Sequence, residues 1–244
     1  MNEKVKTRLY IKQSSGLAEL VTPSEEQVHY LNNVLRICDG DKVAVFDGEN
    51  GEYIFEINKT GKKNIILKKI RKSRDFYLPP DLWLLFAPVK KDKTDFIIQK
   101  ACELGVRRII PTITERTICE RIKIERYQAQ AIEACEQCRR VDVPDIHAPI
   151  SLNDIINDWD GRKLFFMDET GNGNNINKSF SASPSGVAIL VGPEGGFSAQ
   201  ELTKLRSLDF AQGVSMGGRI MRAETAVTAA LACWQAICGD WKQD

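Results

Sequence analysis

Two different grammars of apolar and polar positions run along this chain. Up to residue 75 the apolar positions come in short runs broken by turn signals. "RLYI" (8–11) predicts a strand, and "SEEQVHYLNNVLRIC" (24–38) places Val28, Leu31, Val34 and Leu35 at helical spacing. "DKVAVFD", the turn "GENG" and "EYIFEIN" predict a hairpin, and a second turn, "KTGKK", leads into "NIILKKI". Short strands around one helix predict a compact β-barrel or curled sheet. Pro79 and Pro80 in "RKSRDFYLPPD" mark the boundary, giving domains 1–74 and 75–244.

From residue 81 the apolar runs become continuous. "LWLLFAPV", "RRIIPTI", "KLFFMD", "GVAILVG" and the shorter "AQGVSMG" predict strands. "DKTDFIIQKACELG", "RYQAQAIEACEQCRR", "SAQELTKLRSL" and "RAETAVTAALACWQAIC" predict helices, the first of them closed by Gly105. Buried strands alternating with helices mean a parallel α/β sheet covered on both faces, with ligands at the carboxyl ends of its strands.

Two glycine-rich loops fall at such ends. In "LVGPEGGFSAQE" (190–201), Ser198 and Glu201 form a capping box that starts the next helix, so Gly192-Pro193-Glu194-Gly195-Gly196 is held between rigid elements. Glycine permits close backbone approach to a ligand, and a tight turn explains the glycines better than it explains Glu194 among them. The phosphate-binding G-x-x-x-x-G-K-[ST] pattern is absent, and the spacing does not match the dinucleotide fingerprint G-x-G-x-x-G. The second loop, "MGGRIMRAETA" (216–226), brings Arg219 and Arg222 to the start of the last helix beside Glu224. Cations there oppose the helix dipole, which points either to an anionic or electron-rich partner or to a salt bridge with Glu224. The small-residue face Ala226, Ala230, Cys233 and Ile237 reads as packing.

Composition narrows the class. A chain of 244 residues with 43% hydrophobic and 27% charged residues is an ordinary globular protein. No apolar run reaches the roughly 18 residues of a membrane span, and the first twenty residues carry no secretory pattern, so a cytoplasmic location is expected. Seven scattered cysteines do not form a secreted disulfide framework. Cys135 and Cys138 form C-x-x-C inside a helical stretch, with no second pair and only His29 and His147 elsewhere, so reduced thiols and no metal are expected. Residues 1–75 hold 14 basic against 11 acidic residues, a charge of +3, within a total of +1. The stretch 59–74 has eight basic residues and no acidic one, which suits either a protected strand edge or a phosphate-tracking patch. Lys90, Lys91 and Lys93 crowd another helix start, where a phosphate or plain solvation explains them equally.

The two loops together with "KKDKTDFIIQKACELGVRRIIPTITERT" resemble the RsmE family of 16S ribosomal RNA uridine-N3 methyltransferases, S-adenosylmethionine-dependent enzymes of the SPOUT class. "HYLNNVLRICDGDKVAVFDGENGEY" resembles that family's N-terminal PUA-like RNA-binding barrel, so the likeness covers nearly the whole chain. Met216 and Met221 stand where leucine is usual in the family, and "TRLYI" matches its N-terminal arginine-plus-aromatic pattern loosely.

The resemblance implies an α/β SPOUT domain with a deep trefoil knot, a homodimer with its site near the interface, and a substrate of uridine 1498 in the 16S rRNA of the assembled 30S subunit. It implies that S-adenosylmethionine is held by Met167, Glu169, Leu190, Val191, Gly192, Pro193, Glu194, Gly195, Gly196, Met216, Gly217, Arg219, Ile220, Met221, Thr225 and Ala226. Uracil N3 is a poor nucleophile until its proton leaves, so such a site needs a base or cations on O2 and O4. Arg219 and Arg222 are expected in the second role, and Glu194 or Glu224 can accept the proton or orient the base. Arg8, His29, Arg36, Lys68, Lys69, Arg71, Lys90 and Lys93 are the expected RNA contacts. A non-catalytic RNA-binding factor, or an enzyme acting on another uridine atom, has the same outline.

Overall fold

The computed structural model describes residues 4–13, 16–61, 64–118, 122–182 and 186–242; Lys62, Lys63 and Cys119 lie outside them. The chain forms two compact units, one of residues 1–78 with 135–143 and the other of 79–134 with 144–244. The first unit therefore runs four residues past the expected boundary and takes back a later segment that the strand and helix pattern assigns to the second domain.

The first unit is a mixed five-stranded sheet in the order β1 (Val5–Tyr10), β3 (Lys42–Phe46), β4 (Glu52–Lys59), β5 (Ile65–Arg74), β2 (Leu20–Val21). β3 and β4 form the expected antiparallel hairpin, while β1 lies parallel to β3. Gly51 closes the hairpin turn at φ +91, and a Cβ there would stand 2.4 Å from the Arg74 carbonyl oxygen. Leu9, Leu31, Val43, Val45, Phe55, Ile57 and Leu67 fill the core.

The helix of this unit departs from its predicted form. Ser24 caps α1 (Glu25–His29) through a full capping box, but the next residues, Tyr30–Val34, widen into a π-turn in which the Leu35 N–H donates to the Tyr30 carbonyl at 3.1 Å. The wider turn rotates Val34 out of the apolar stripe. Leu31 is fully buried and Val34 is 62% exposed.

Arg8 is expected to meet RNA, and the structure gives it other work. Its Nε donates to Glu52 Oε2 at 2.6 Å, and its two terminal nitrogens donate to the carbonyls of Cys135, Glu136 and Arg140 at 2.6–2.9 Å. Those carbonyls belong to the last turn of α3 (Ile124–Cys138) and the residues after it, where no intrahelical donors remain. The guanidinium also lies over the Phe46 ring, 4.7 Å from its centroid. Four of its five donors are spent inside the fold. Nearby, Cys135 and Cys138 are free thiols, and the hydrogen bond with Cys135 together with burial pushes the Cys138 thiol far up, the opposite of a reactive thiolate.

The second unit is a parallel sheet in the order β11 (Asn174–Asn175), β13 (Ala211–Ser215), β10 (Lys163–Met167), β12 (Val187–Val191), β6 (Leu82–Phe86), β7 (Arg108–Ile113), β8 (Asp145–Ile146), with β9 (Ile150–Ser151) against the far end of β7. α2 (Lys91–Glu103), α4 (Leu152–Asn157), α5 (Ile176–Ser181), α6 (Ala199–Arg206), α7 (Ala223–Ile237) and α3 as far as Ala134 complete it. β10 and β12 are each completely or almost completely buried apart from Lys163, as strands covered on both faces must be. Leu85, Phe166, Ala188, Leu190, Phe197, Leu202 and Leu205 pack one core cluster. α7 buries Ala223, Ala226, Val227, Ala230, Leu231 and Trp234 and packs against α2, so its small-residue face is packing.

One buried carboxylate fixes the end of β10. Asp168, 5% exposed, accepts from the Thr170 N–H at 2.9 Å, the Thr170 hydroxyl at 2.6 Å and Arg206 at the end of α6 at 2.7 Å. Burial acts to raise its proton affinity, but the hydrogen bonds from Arg206 and Thr170 outweigh it and hold the carboxyl below its ordinary value.

Two stability predictions follow from these networks. Arg8→Ala should lower the unfolding free energy by about 3 kcal/mol in urea denaturation, because buried Glu52 loses its closest charge partner, keeping the Ser73 hydroxyl and the more distant Arg74, and the carbonyls at the end of α3 lose their donors; Arg8→Lys should restore little, since the fork geometry is lost. Asp168 has a depressed carboxyl, so its contribution is present above the ordinary carboxylate range, near pH 4, and disappears as pH falls below it. Asp168→Asn should therefore lower Tm clearly at pH 7, with the gap to wild type closing as pH approaches 3.

Candidate functional site

β13, β10 and β12 are neighbours and parallel, so the loops leaving their carboxyl ends come together on one edge of the second unit. These are 168–173, 192–198 and 216–222. The sequence-predicted cofactor residues all lie on these loops or on the adjoining ends of β10, β12 and α7.

Leu190 and Val191 are buried in β12, and a β-turn follows, the Gly196 N–H donating to the Pro193 carbonyl at 2.9 Å. Gly196 adopts φ +69, and its missing side chain makes room for the Glu169 carboxylate, which presses against the position a Cβ would take. Gly192 has the Phe197 ring 3.1 Å from its Cβ position. Gly217, at φ +99, and Gly218 have no atom within 4 Å of theirs, so this loop borders open space. Met167 is buried, while Met216 and Met221 are half-buried.

The predicted catalytic residues separate. Glu194 sits at the turn tip and pairs with Lys93 of α2, whose hydrogen bond and charge, joined by Lys90 and Arg222, hold its carboxyl below the ordinary range. A carboxylate so held is a poor proton acceptor. Arg219 and Arg222 are exposed, and neither forms an ion pair with Glu224. Glu224 instead turns Oε2 into the protein, where it is buried with no hydrogen-bond partner. The salt bridge that the spacing allows is not formed, and the guanidinium groups are left facing outward. Thr225 is exposed and Ala226 is buried.

Glu169 behaves differently from Glu194. Burial, and then the charge of Asp168, raise its proton affinity, partly offset by the Phe197 N–H and by Arg116. It is an exposed anion without an ion-pair partner among the described residues, an environment suited to a cation. S-adenosylmethionine carries a sulfonium and an ammonium, and the open space beside Gly217 and Gly218 leaves room for it, so the residues present fit that group.

Two participants and one added contact were not foreseen. Asp168 anchors the 168–173 loop, Arg116 donates to the Gly195 carbonyl at 2.8 Å, and the Glu201 carboxylate accepts from Glu115 as well as from its own cap. The polar run "DET" at the end of an apolar strand is the one local signal for Asp168. The partners of Arg116 and Glu201 are distant in sequence and left no such signal.

In the first unit, the predicted RNA contacts divide likewise. His29, Arg36, Lys68 and Arg71 are exposed, and His29 lines an open groove with Asn32, Asn33 and Asn64. Arg36 adopts φ +50, a strained conformation for a side chain of its size. Lys69 donates to the Leu17 carbonyl and lies 4.9 Å from the Tyr53 ring centroid, so it serves the fold. In the second unit, Lys90 is exposed and Lys93 is engaged by Glu194. Among the described residues no group of three or more His, Cys, Asp or Glu gathers as for a metal ion, and no helix is long and apolar enough to cross a membrane.

Comparison with known proteins matches these observations to a family. Residues 77–235 match the RNA methyltransferase domain, and residues 23–70 match the RNA methyltransferase PUA domain. The chain is 36% identical over 229 residues to the ribosomal RNA small subunit methyltransferase E of Rickettsia conorii, covering 92% of this chain and 93% of that protein. It is similar in structure to the ribosomal RNA small subunit methyltransferase E of Neisseria gonorrhoeae bound to S-adenosylmethionine, with TM-score 0.87, 28% identity, and coverage of 97% and 99%. A methyltransferase from Legionella pneumophila, also in complex with S-adenosylmethionine, gives TM-score 0.88 at 28% identity, covering 97% and 99%. With a parallel-sheet domain, a mixed-sheet N-terminal unit and matches running almost end to end, this chain belongs to the small-subunit ribosomal RNA methyltransferase E family.

Proposed function

We propose that this protein is an S-adenosylmethionine-dependent methyltransferase of small-subunit ribosomal RNA whose acceptor is N3 of one uridine, uridine 1498, within the assembled 30S subunit. The observation that carries the reading is the meeting of three loops at adjacent strand ends, one pressing an exposed carboxylate against a glycine turn and another offering two arginines with no ion-pair partner among the described residues. The family's cofactor supplies an electrophilic methyl group on a sulfonium. Glu169 stabilises positive charge there, and the backbones of Leu190 to Gly196 and Met216 to Met221 hold the cofactor's two ends. Arg219 and Arg222 hold the uracil carbonyl oxygens and lower the cost of removing the N3 proton. Glu194, pinned by Lys93, is assigned to shaping the loop; Glu224, buried and unpaired, is the better placed acid to orient a group entering the site.

The first unit binds rRNA through Lys68, Arg71, Arg36 and His29, contacts that position the substrate. The protein acts as a homodimer in the cytoplasm, where its substrate is assembled. Supporting the dimer, Ile118 and Ile220 are 91% and 88% exposed on loops at the same edge of the sheet, apolar surface that a second copy would cover.

The test is methyl transfer from labelled S-adenosylmethionine to small subunits lacking this modification, with free 16S RNA in parallel and the labelled nucleotide mapped. Label on one uridine N3, favouring assembled subunits, is the expected result; no label despite cofactor binding would overturn the substrate. Arg219→Ala and Arg222→Ala should each lower turnover about 100-fold with cofactor affinity little changed, and full turnover in both would remove the arginine role. Glu169 has a raised carboxyl, so its contribution to stability is present below the ordinary carboxylate range and lost as pH rises through the raised value. Glu169→Gln should therefore raise Tm of the cofactor-free protein at pH 7 while weakening its stabilisation by added S-adenosylmethionine.

A further inference from the structure

The turn after β7 reaches the same edge as the three loops. The Thr117 N–H donates to the Thr114 carbonyl at 3.1 Å, and the Thr114 N–H donates to the Thr117 hydroxyl at 2.9 Å, placing Glu115 and Arg116 at the tip. The Glu115 N–H is fixed by Glu201 Oε1 at 2.9 Å. From this anchored tip the Arg116 stem lies against Gly195, its Cβ and Cδ 3.7 and 3.6 Å from the Cβ position there, and Nη1 reaches the Gly195 carbonyl.

That bond uses one of five donors. Arg116 is exposed, and its other donors have no partner among the described residues. Its charge is felt at Glu169, yet the two form no ion pair. Around the adjacent Glu194 stand Lys93, Lys90 and Arg222. Four cations thus stand about one short loop, with the exposed Glu115 and Glu169 nearby, and among the described residues only Lys93 forms an ion pair there. A small carboxylate ligand would satisfy one of them, whereas a chain of phosphates meets several at once. The planar guanidinium fork, held at one corner by Gly195, is shaped to take a phosphate with its remaining donors.

We infer that Arg116 is a phosphate-binding residue for the substrate RNA, gripping a phosphodiester beside the target nucleotide while its Nη1 steadies the glycine turn. The inference rests on the proposed rRNA substrate and names a contact within that site. It makes RNA affinity at this edge depend on the Arg116 charge, and the turn's shape depend on the Arg116 donor.

The two parts are separable. Arg116→Gln removes the charge but keeps an N–H donor, and Arg116→Lys keeps the charge but loses the fork. Binding of each variant and of wild type to unmethylated small subunits would be measured from about 50 to 200 mM KCl, with S-adenosylmethionine affinity measured separately. For Arg116→Gln the expected result is about tenfold weaker subunit binding, with the slope of log affinity against log salt reduced by about one. Arg116→Lys should keep the wild-type slope, and both variants should bind cofactor within about twofold of wild type. An unchanged slope in Arg116→Gln, or cofactor affinity lost in step with subunit affinity, would overturn the assignment alone. Wild type that neither binds nor methylates subunits would overturn it together with the proposed substrate.

Discussion

The carboxylate of Glu201 is the point from which the site is built. One oxygen accepts the Ser198 N–H at 2.8 Å and so starts α6; the other accepts the Glu115 N–H at 2.9 Å and so fixes the turn after β7. Between these constraints lies the Pro193–Gly196 turn, whose glycines have no side chains to hold them. A loop with that much backbone freedom would be a poor ligand-binding surface if its ends could drift. The capping box reads as a local device for beginning a helix, but here its acceptor capacity also joins two loops 86 residues apart in sequence.

Charge is distributed around this anchor in a consistent way. Four carboxylates near the glycine turn are either matched or withheld. Glu194 is matched by Lys93, Asp168 by Arg206 and Thr170, and Glu169 and Glu224 are withheld from cations, one pressed against Gly196 and one turned inward. Beside the exposed Glu115 and Glu169, the surface there carries four cations, Lys90, Arg116, Arg219 and Arg222. The protein carries a net charge of only +1, so this local excess reflects placement and not composition.

Much of this was legible in the sequence, and the rest has physical reasons for being hidden. Continuous apolar runs such as "LWLLFAPV" and "GVAILVG", set between turn signals and alternating with helices, predict buried strands, and both contain one; the capping box starts α6 and the αL glycine Gly105 closes α2 as expected. β2, β8, β9 and β11, at two residues each, are too short for any period to show. The π-turn at Tyr30–Val34 escaped because its apolar residues fit an α-helix equally well until Val34 is seen to face outward. In the site, residue types on one loop were readable, but pairings across loops were not. Lys93 and Glu194 are 101 residues apart, and Arg116 and Gly195 are 79 apart. The same blindness made Glu224 look like the partner of two arginines that in fact avoid it.

The basic stretch 59–74 shows how a nucleic-acid surface should be read from such a structure, by subtraction. Strand sequence and net charge left a protected edge and a phosphate track equally open. Lys59 is spent on the Ile37 carbonyl, Lys69 on Leu17 and the Tyr53 ring, Lys72 on Asp75, and Arg74 on Glu52 and the Arg139 carbonyl. Arg8 disappears from the candidate list by the same reasoning, having a whole helix end to satisfy. A buried backbone carbonyl without a donor is costly, and a long cationic side chain is the cheapest remedy within reach. Basic residues close to helix ends and strand edges are therefore claimed by the fold first. Among the described residues of the stretch, exposed Lys68 is what a phosphate backbone could still engage, while Arg71, also exposed, donates to the Lys72 carbonyl.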